Sequence, residues 1–205
     1  MPSKSPISLK GRASFAWTIG AVLFAGILCL LLLWKKPATV TEVLSSELTR
    51  REGLLYHGDM KKPFTGVMLE KYSSGGLKSR STVHDGFLDG LSEGRHTNGQ
   101  VQVREFFKKG VSNGLREKWN ESGIKLSAGT IVEGKHEGIF RRWHENGVLA
   151  EEVTMRQGEP DGLSRSFYSS GFLKMQVTLK GGKVAEQKSW ADGEVKESPS
   201  VASSK

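Results

Sequence analysis

Histidines are the first residues of this chain to consider for catalysis or metal binding. There are five, namely His57, His84, His96, His136 and His144. None belongs to an H-E-x-x-H pattern, which would place two zinc ligands and a general base on one helix. We therefore expect surface histidines rather than metal ligands.

Other reactive residue types are also interpreted as structural. Glu151 and Glu152 are adjacent in an expected strand, so their carboxylates should point to opposite faces. Ser164 and Ser166 are expected to be ordinary strand residues. The phosphate-loop pattern G-x-x-x-x-G-K-[ST] is absent. The sequence thus predicts no catalytic residue, no metal site and no cofactor, and the chain is not expected to be an enzyme.

An internal glycine repeat determines the predicted strands and turns that carry these side chains. Three series of glycines recur at a spacing of 24 residues. The first series is Gly66, Gly90, Gly114, Gly138 and Gly162. The second is Gly75, Gly99, Gly123, Gly147 and Gly171. The third is Gly86, Gly110, Gly134, Gly158 and Gly182. Full units therefore begin near residues 66, 90, 114, 138 and 162.

Each unit predicts one β-hairpin. In the third unit, residues 115–120 form a strand, Glu121-Ser122-Gly123 is its turn, and residues 124–132 form the return strand. The second-series glycines are predicted to supply the positive φ that such turns need. A second short turn is expected between Gly134 and Gly138. No stretch after residue 52 has helical periodicity.

The alternation of side chains predicts one apolar face and one polar face. Leu115, Trp119 and Ile131 are assigned to the apolar face, and Trp119 and Trp143 are expected to stack in the core. The polar side chains are Arg116, Lys118, Asn120, Arg142 and His144. A single unit buries too little apolar surface to fold alone, so the units must stack. The predicted fold is all-β, an elongated twisted antiparallel meander of hairpins.

The N-terminal region predicts a membrane anchor. Residues 13–34 contain no charge, and about 20 apolar residues span a bilayer core. Trp17 and Trp34 lie near the two ends, and Lys35 follows directly. We expect a single-pass transmembrane helix at 13–34 after a basic segment at 1–12. A cleaved signal peptide is the alternative, but the apolar run is long for one.

The anchor accounts for much of the basic charge. The net charge is +8, but the first 36 residues carry five basic and no acidic residues, leaving 25 basic against 22 acidic elsewhere. No nucleic-acid partner is therefore expected. The slight excess of positive charge before the helix predicts a cytoplasmic N-terminus. The repeat domain would then lie on the extracytoplasmic side of the inner membrane.

The remaining boundaries follow from the repeat. Residues 35–52 are expected to be a juxtamembrane linker, 53–195 the repeat domain, and 196–205 a disordered tail. An imperfect first unit precedes Gly66, and the register drifts after the last unit.

The unit Gly138-Ile-Phe-Arg-Arg-Trp-His-Glu-Asn-Gly147 resembles the MORN-variant repeat, with its strand, aromatic residue, Asn-Gly turn and return strand. The segment with Tyr56 and Pro63-Phe64-Thr65-Gly66 is similar to the start of bacterial YwqK-type toxin–antitoxin components. The resemblance covers about residues 53–195. It implies a hairpin array that binds partners, sometimes a toxin, and it implies no catalytic residues.

Three functional hypotheses follow. The favoured one is a membrane-anchored, non-catalytic protein-binding or scaffold module, with self-association left open. Its candidate partner-binding face contains Arg116, Lys118, Arg142 and His144. The alternatives are an antitoxin or immunity protein that neutralises a toxin, and an envelope enzyme acting on glycans, which would need a cleft with two carboxylates.

Overall fold

A computed structural model describes residues 40–196 of the chain. The predicted basic segment, the transmembrane helix at 13–34 and all of the predicted tail except Lys196 lie outside these residues. No helix within residues 40–196 is long and apolar enough to cross a membrane.

The described residues form fourteen strands and one short 3-10 helix, Ser45–Glu47. The strands are β1 (Glu42–Leu44), β2 (Leu48–Arg51), β3 (Leu54–His57), β4 (Gly66–Lys71), β5 (Leu77–His84), β6 (Phe87–Arg95), β7 (Val101–Lys108), β8 (Val111–Trp119), β9 (Lys125–Val132), β10 (Lys135–Trp143), β11 (Leu149–Arg156), β12 (Glu159–Phe167), β13 (Leu173–Lys180) and β14 (Lys183–Ser189). Strands β4 to β14 pair in chain order, all antiparallel, and β1 joins β4 in parallel. The prediction of an all-β meander is confirmed.

The turn after the second strand of each unit is shorter than predicted. In the third unit it consists of two residues, Glu133 and Gly134, with φ of 48° and 81°. Positive φ at both central residues is the signature of a type I′ turn, whose twist matches that of the flanking strands. Strand β10 starts directly at Lys135, so the turn predicted between Gly134 and Gly138 is wrong. Gly138 lies instead inside β10, where the register with β9 shifts between Glu137 and Arg141.

The turn within each unit is a tight three-residue loop. In the fourth unit, the His144 N–H donates to the Val148 carbonyl at 2.8 Å, and the Gly147 N–H donates to the His144 carbonyl at 2.9 Å. Gly147 has φ of +81°. The second-series glycines of the other units also have positive φ, between 78° and 90°. Glycine meets this requirement without steric cost.

The two faces of the sheet differ from the prediction. Leu115 pairs with Thr130, so both point to one face, and Ile131 must point to the other. Ile131 is 3% exposed, whereas Leu115 is 44% exposed. The prediction that they share an apolar face is wrong, because a shift of one residue in register moves a strand's side chains to the opposite face. We call the face of Ile131 the inner face and that of Leu115 the outer face.

Part of the predicted linker is folded. Val43 of β1 pairs with Met68 of β4, and its buried side chain packs with Phe64 and Val83. Leu48, Leu55, Met68 and Leu88 surround this cluster. The segment therefore closes the first edge of the array with apolar side chains, whereas the sequence predicts a linker as far as residue 52.

The opposite end of the array is closed differently. All residues of β14 are exposed. Leu173 of the preceding strand is fully buried, and its N–H donates to the carbonyl of Val195 at 2.8 Å. The chain after β14 thus turns back over β13.

Replacement of Gly147 by alanine tests the backbone of the turns. No atom lies within 4 Å of the added Cβ, so only the positive φ opposes the change. We expect a loss of about 1–2 kcal/mol in the free energy of unfolding, measured by urea denaturation. Gly76→Ala is the matched control, since Gly76 lacks a positive φ and its added Cβ would meet only the Ser74 hydroxyl, at an ordinary contact distance of 3.9 Å. Equal stability of the two variants would contradict the turn geometry.

Candidate interaction surfaces of the sheet

Hydrogen bonds between units fix the two-residue turns. The Gly134 N–H donates to the Ser112 carbonyl at 2.9 Å, and the Gly158 N–H donates to the His136 carbonyl at 2.9 Å. A side chain of the preceding unit completes the contact, as Glu137 accepts from the Gln157 N–H at 2.8 Å. Thr65, Asp89 and Asp161 accept in the same way from Asp85, Lys109 and Gly181. These acceptors therefore hold successive units of the repeat together.

The opposite ends of the strands are joined by side chains that recur in the repeat. A ring nitrogen (Nε2) of His144 lies 3.0 Å from the Phe167 carbonyl, and that of His96 lies 2.9 Å from the Trp119 carbonyl. Tyr72 and Tyr168 stand at the same repeat position and donate their hydroxyls to Arg95 and Trp190 carbonyls. His144, a predicted partner-binding residue, is thus engaged within the array.

The inner face carries a partly buried ion pair. The Arg116 guanidinium lies 2.5 Å from Glu105, whose side chain is 11% exposed. The Ser112 hydroxyl donates to the same carboxylate oxygen. Because burial makes an unpaired charge costly, Arg116 is held in place by Glu105. Arg116, the second predicted partner-binding residue, therefore also has a structural partner.

A groove of about 610 Å³ opens beside this ion pair. It is lined by His96, Gln102, Val103, Glu105, Arg116, Lys118, Trp119, Asn120, Glu121 and Leu126. Val103 and Leu126 give it apolar surface, and Lys118 is exposed. Lys118 forms no ion pair with any residue from 40 to 196. The groove therefore presents Lys118 and the carboxylate of Glu121, neither of which forms an ion pair within residues 40–196, beside apolar side chains.

Lys118 and Arg142 lie in one row of the inner face, since each pairs with Ser127 of the strand between them. Arg142 is 64% exposed and lies 3.6 Å from Glu151, which is also exposed. Such a surface pair contributes little and leaves the guanidinium accessible. Of the four predicted binding residues, Lys118 and Arg142 are thus available to a partner.

His136 lies on the inner face, where it pairs with Ile131 and contacts the Phe140 ring at 4.9 Å between centroids. Its buried Nδ1 has no hydrogen-bond partner within the described part of the chain. Burial lowers the pKa of His136, and the charges of Arg116 and Lys118 lower it further, against a hydrogen bond with the Thr130 backbone. The folded protein therefore favours the neutral imidazole.

A row of alternating charges crosses the outer face. Burial alone would raise the pKa of Glu93, but Arg104 and Arg95 hold it below its usual range. Glu152, 5% exposed, accepts from Arg141 at 2.8 Å and from Arg165 at 2.7 Å. These carboxylates are satisfied by neighbouring strands, and Glu152 and Glu151 point to opposite faces, as the sequence predicts.

The aligned tryptophans belong to the outer face and are half-buried. The Lys125 ammonium lies 5.6 Å from the Trp119 ring centroid and 5.8 Å from that of Trp143. The expected core stack is therefore replaced by a cation shared between two rings.

Large apolar side chains of the outer face remain exposed on strands β6 to β8. They are Phe87 (38%), Leu91 (36%), Phe106 (42%), Val111 (47%) and Leu115 (44%). We call this set the outer patch. Leu91 and Leu115 each follow a first-series glycine, and that recurrence was the available signal. The recurrence alone predicts a core position, because the face that a side chain occupies depends on the register between strands.

Two further serine patterns in the sequence bear on catalysis. Gly90-Leu91-Ser92-Glu93-Gly94 and Gly110-Val111-Ser112-Asn113-Gly114 both match G-x-S-x-G. A nucleophile elbow requires a sharp strand-to-helix turn, whereas both serines lie within strands. Ser92 bonds to the Ser81 hydroxyl at 2.7 Å, and Ser112 to Glu105. Across residues 40–196, no group of three His, Cys, Asp or Glu side chains could hold a metal ion.

Comparison with protein families identifies the repeat class. The MORN repeat variant family matches residues 137–157. This stretch comprises most of β10, the turn at Gly147 and β11. The chain therefore contains a MORN-variant repeat. No curated protein matches the chain.

Solved structures give only low similarity. A TarM mutant from S. aureus, in complex with fondaparinux, alpha-GlcNAc-glycerol and UDP, is 13% identical with a TM-score of 0.32 over 46% of this chain. A second TarM structure is 11% identical with a TM-score of 0.31 over 47% of this chain. The chain spans 19% of the length of each. Similarity at this level supports no argument about fold or function.

The environment of His136 predicts a pH dependence of stability. Its pKa in the folded protein is lowered from 6.5, so below about pH 6.5 the unfolded chain binds a proton that the folded chain resists. We expect the melting temperature to fall between pH 7.5 and pH 5, and to fall less in His136→Gln. An equal pH dependence in His136→Gln and wild type would contradict this assignment.

Proposed function

We propose that this chain is a non-catalytic module that binds a protein partner through the inner face of its repeat sheet. The observation that carries the proposal is the open groove beside the Glu105–Arg116 pair, with Lys118 at its margin. A groove with apolar walls and an accessible lysine suits a partner segment that combines apolar side chains with a carboxylate. The MORN-variant repeat supports a binding role.

The use of polar side chains within the array also supports this proposal. His96 and His144 bond to carbonyls of the following unit, and Glu137 accepts from a turn N–H. These groups stabilise the stacking of units. Lys118 and Arg142 remain accessible in their row of the inner face.

We further propose that residues 13–34 anchor the module in the inner membrane, with the repeat domain on the extracytoplasmic side. The uncharged apolar run and the basic residues on both sides of it support this arrangement. The module would then present its sheet to partners at the membrane surface.

Charge reversal of Lys118 and Arg142 tests the binding face. We expect the double variant Lys118→Glu/Arg142→Glu to lose most of the partner recovered by crosslinking and pull-down from native membranes, because repulsion replaces attraction to the partner's carboxylate. The circular dichroism spectrum should stay unchanged, since neither side chain forms a buried contact.

The matched control is Lys61→Glu/Lys62→Glu, which changes the net charge equally at an exposed loop away from the groove. It should recover the partner as wild type does. Undiminished recovery by the Lys118→Glu/Arg142→Glu variant would exclude the inner face as the binding site.

A further inference from the structure

The last strand of the sheet has one open edge. Strand β14 pairs with β13 on one side, and within residues 40–196 no strand lies on its other side. In the five complete units the equivalent strand is paired on both sides. All seven side chains of β14 are exposed, and none is a proline. Such an edge presents unpaired backbone N–H and C=O groups that another strand can bind.

The ladder with β13 shows which backbone groups face the open edge. The Trp190 N–H donates to the Lys174 carbonyl at 3.0 Å. Because successive residues of an antiparallel strand direct these groups to alternate sides, every second residue back to Glu186 also faces β13. The N–H and C=O groups of Gln187 and Ser189 therefore point to the open edge. The irregularity in register with β13 falls before Glu186, so this stretch keeps regular spacing.

This stretch is complementary to itself in one antiparallel register. With a two-fold axis at Gln187, the N–H of each Gln187 meets the C=O of the other, and Ser189 lies opposite Ala185. The side chain of Glu186 then lies directly opposite Lys188 of the second copy. Moving the axis by one residue would set Glu186 against Glu186, or Lys188 against Lys188, and like charges directly opposite each other are destabilising. Charge therefore selects the register about Gln187.

The charges of this stretch are already paired along the strand. The Lys188 ammonium lies 2.8 Å from the Glu186 carboxylate, and both side chains are more than half exposed. In the register about Gln187 the two pairs lie side by side in opposite directions. Each carboxylate then has an ammonium both along its own strand and across the axis, so association requires no ion pair to break.

We propose that β14 is a dimerisation edge, at which two copies of this chain pair antiparallel about Gln187 and continue one sheet from copy to copy. Main-chain hydrogen bonds hold the strands together, as they do when a peptide adds to a sheet edge. The two-fold axis is perpendicular to the sheet, so the inner faces of both copies point the same way. A partner with two binding segments can then engage both copies with increased avidity. Dimerisation itself does not depend on what the inner face binds.

The first edge of the array is a poorer match for β14. Strand β1 has only three residues and leads directly into the 3-10 helix Ser45–Glu47. Pairing of β14 with β1 of another copy would therefore form few ladder hydrogen bonds. It would also leave a free edge at each end and add copies without closure, whereas the two-fold arrangement is closed.

A charge exchange across the axis tests the dimer. The full-length chain in detergent is studied by sedimentation equilibrium, and we expect the wild type to dimerise. Glu186→Lys alone, and Lys188→Glu alone, each set like charges opposite each other twice, so each should weaken dimerisation at least about tenfold. An equimolar mixture of the two variants should dimerise with nearly wild-type affinity, because every pair across the axis again joins opposite charges. Loss of folding cannot produce this recovery.

Two further variants separate this edge from other contacts. Gln187→Pro removes the N–H that points away from β13 and should abolish the dimer. Its melting temperature should stay close to that of the wild type, since proline is tolerated on an edge strand where the N–H faces solvent. Lys108→Glu, at an exposed position of β7, is the charge control and should dimerise as wild type does. A monomeric wild type, a dimer that survives Gln187→Pro, or a mixture that associates no more tightly than either variant alone would overturn the proposal.

Discussion

The hydrogen bond from each two-residue turn to the preceding unit is the contact on which the array depends. The Gly134 N–H reaches back to Ser112, and the same bond recurs at Gly86, Gly110 and Gly158. Within residues 40–196 few apolar side chains are buried, and they cluster mainly near the two ends. A single such bond contributes only about 0.5–1.5 kcal/mol net. Their regular recurrence, together with the strand ladder, therefore replaces the continuous core of a layered domain.

The charges on the outer face help to select one register among similar repeats. Arg104 lies between glutamates of the neighbouring strands, whereas the equivalent position two units later is Glu152, between Arg141 and Arg165. The order of charges across three neighbouring strands is therefore negative–positive–negative at Arg104 and positive–negative–positive at Glu152. Pairing of strands from the wrong units would set Arg104 against Arg141, so like charges oppose a slip that the glycine pattern alone would permit.

The hairpin architecture could be predicted because its determinants are local. Positive φ at a turn requires glycine at one fixed offset, and 24-residue spacing repeats that requirement along the chain. The face that Leu115 occupies depends on its pairing with Thr130. Alternation of side chains within one strand does not specify that pairing. The roles of His96 and His144 arise from carbonyls 23 residues further on, so they too became visible only in the structure. The folded segment at β1 lacks the glycine period and gave no signal.

The construction of the repeat also determines what it can display. At Gly114, φ is +126° and a Cβ would lie 2.9 Å from Phe106, so this position must be glycine and Leu115 follows on the exposed side. The equivalent side chains of the second and fifth units, Leu91 and Leu163, are exposed in the same way. Thr154 shows what the threonine of the repeat does beside this side chain: its hydroxyl donates to the carbonyl of Leu163. Because the other four units stack with threonine at that position, stacking does not require Phe106, and its phenyl ring changes the surface that the second unit displays.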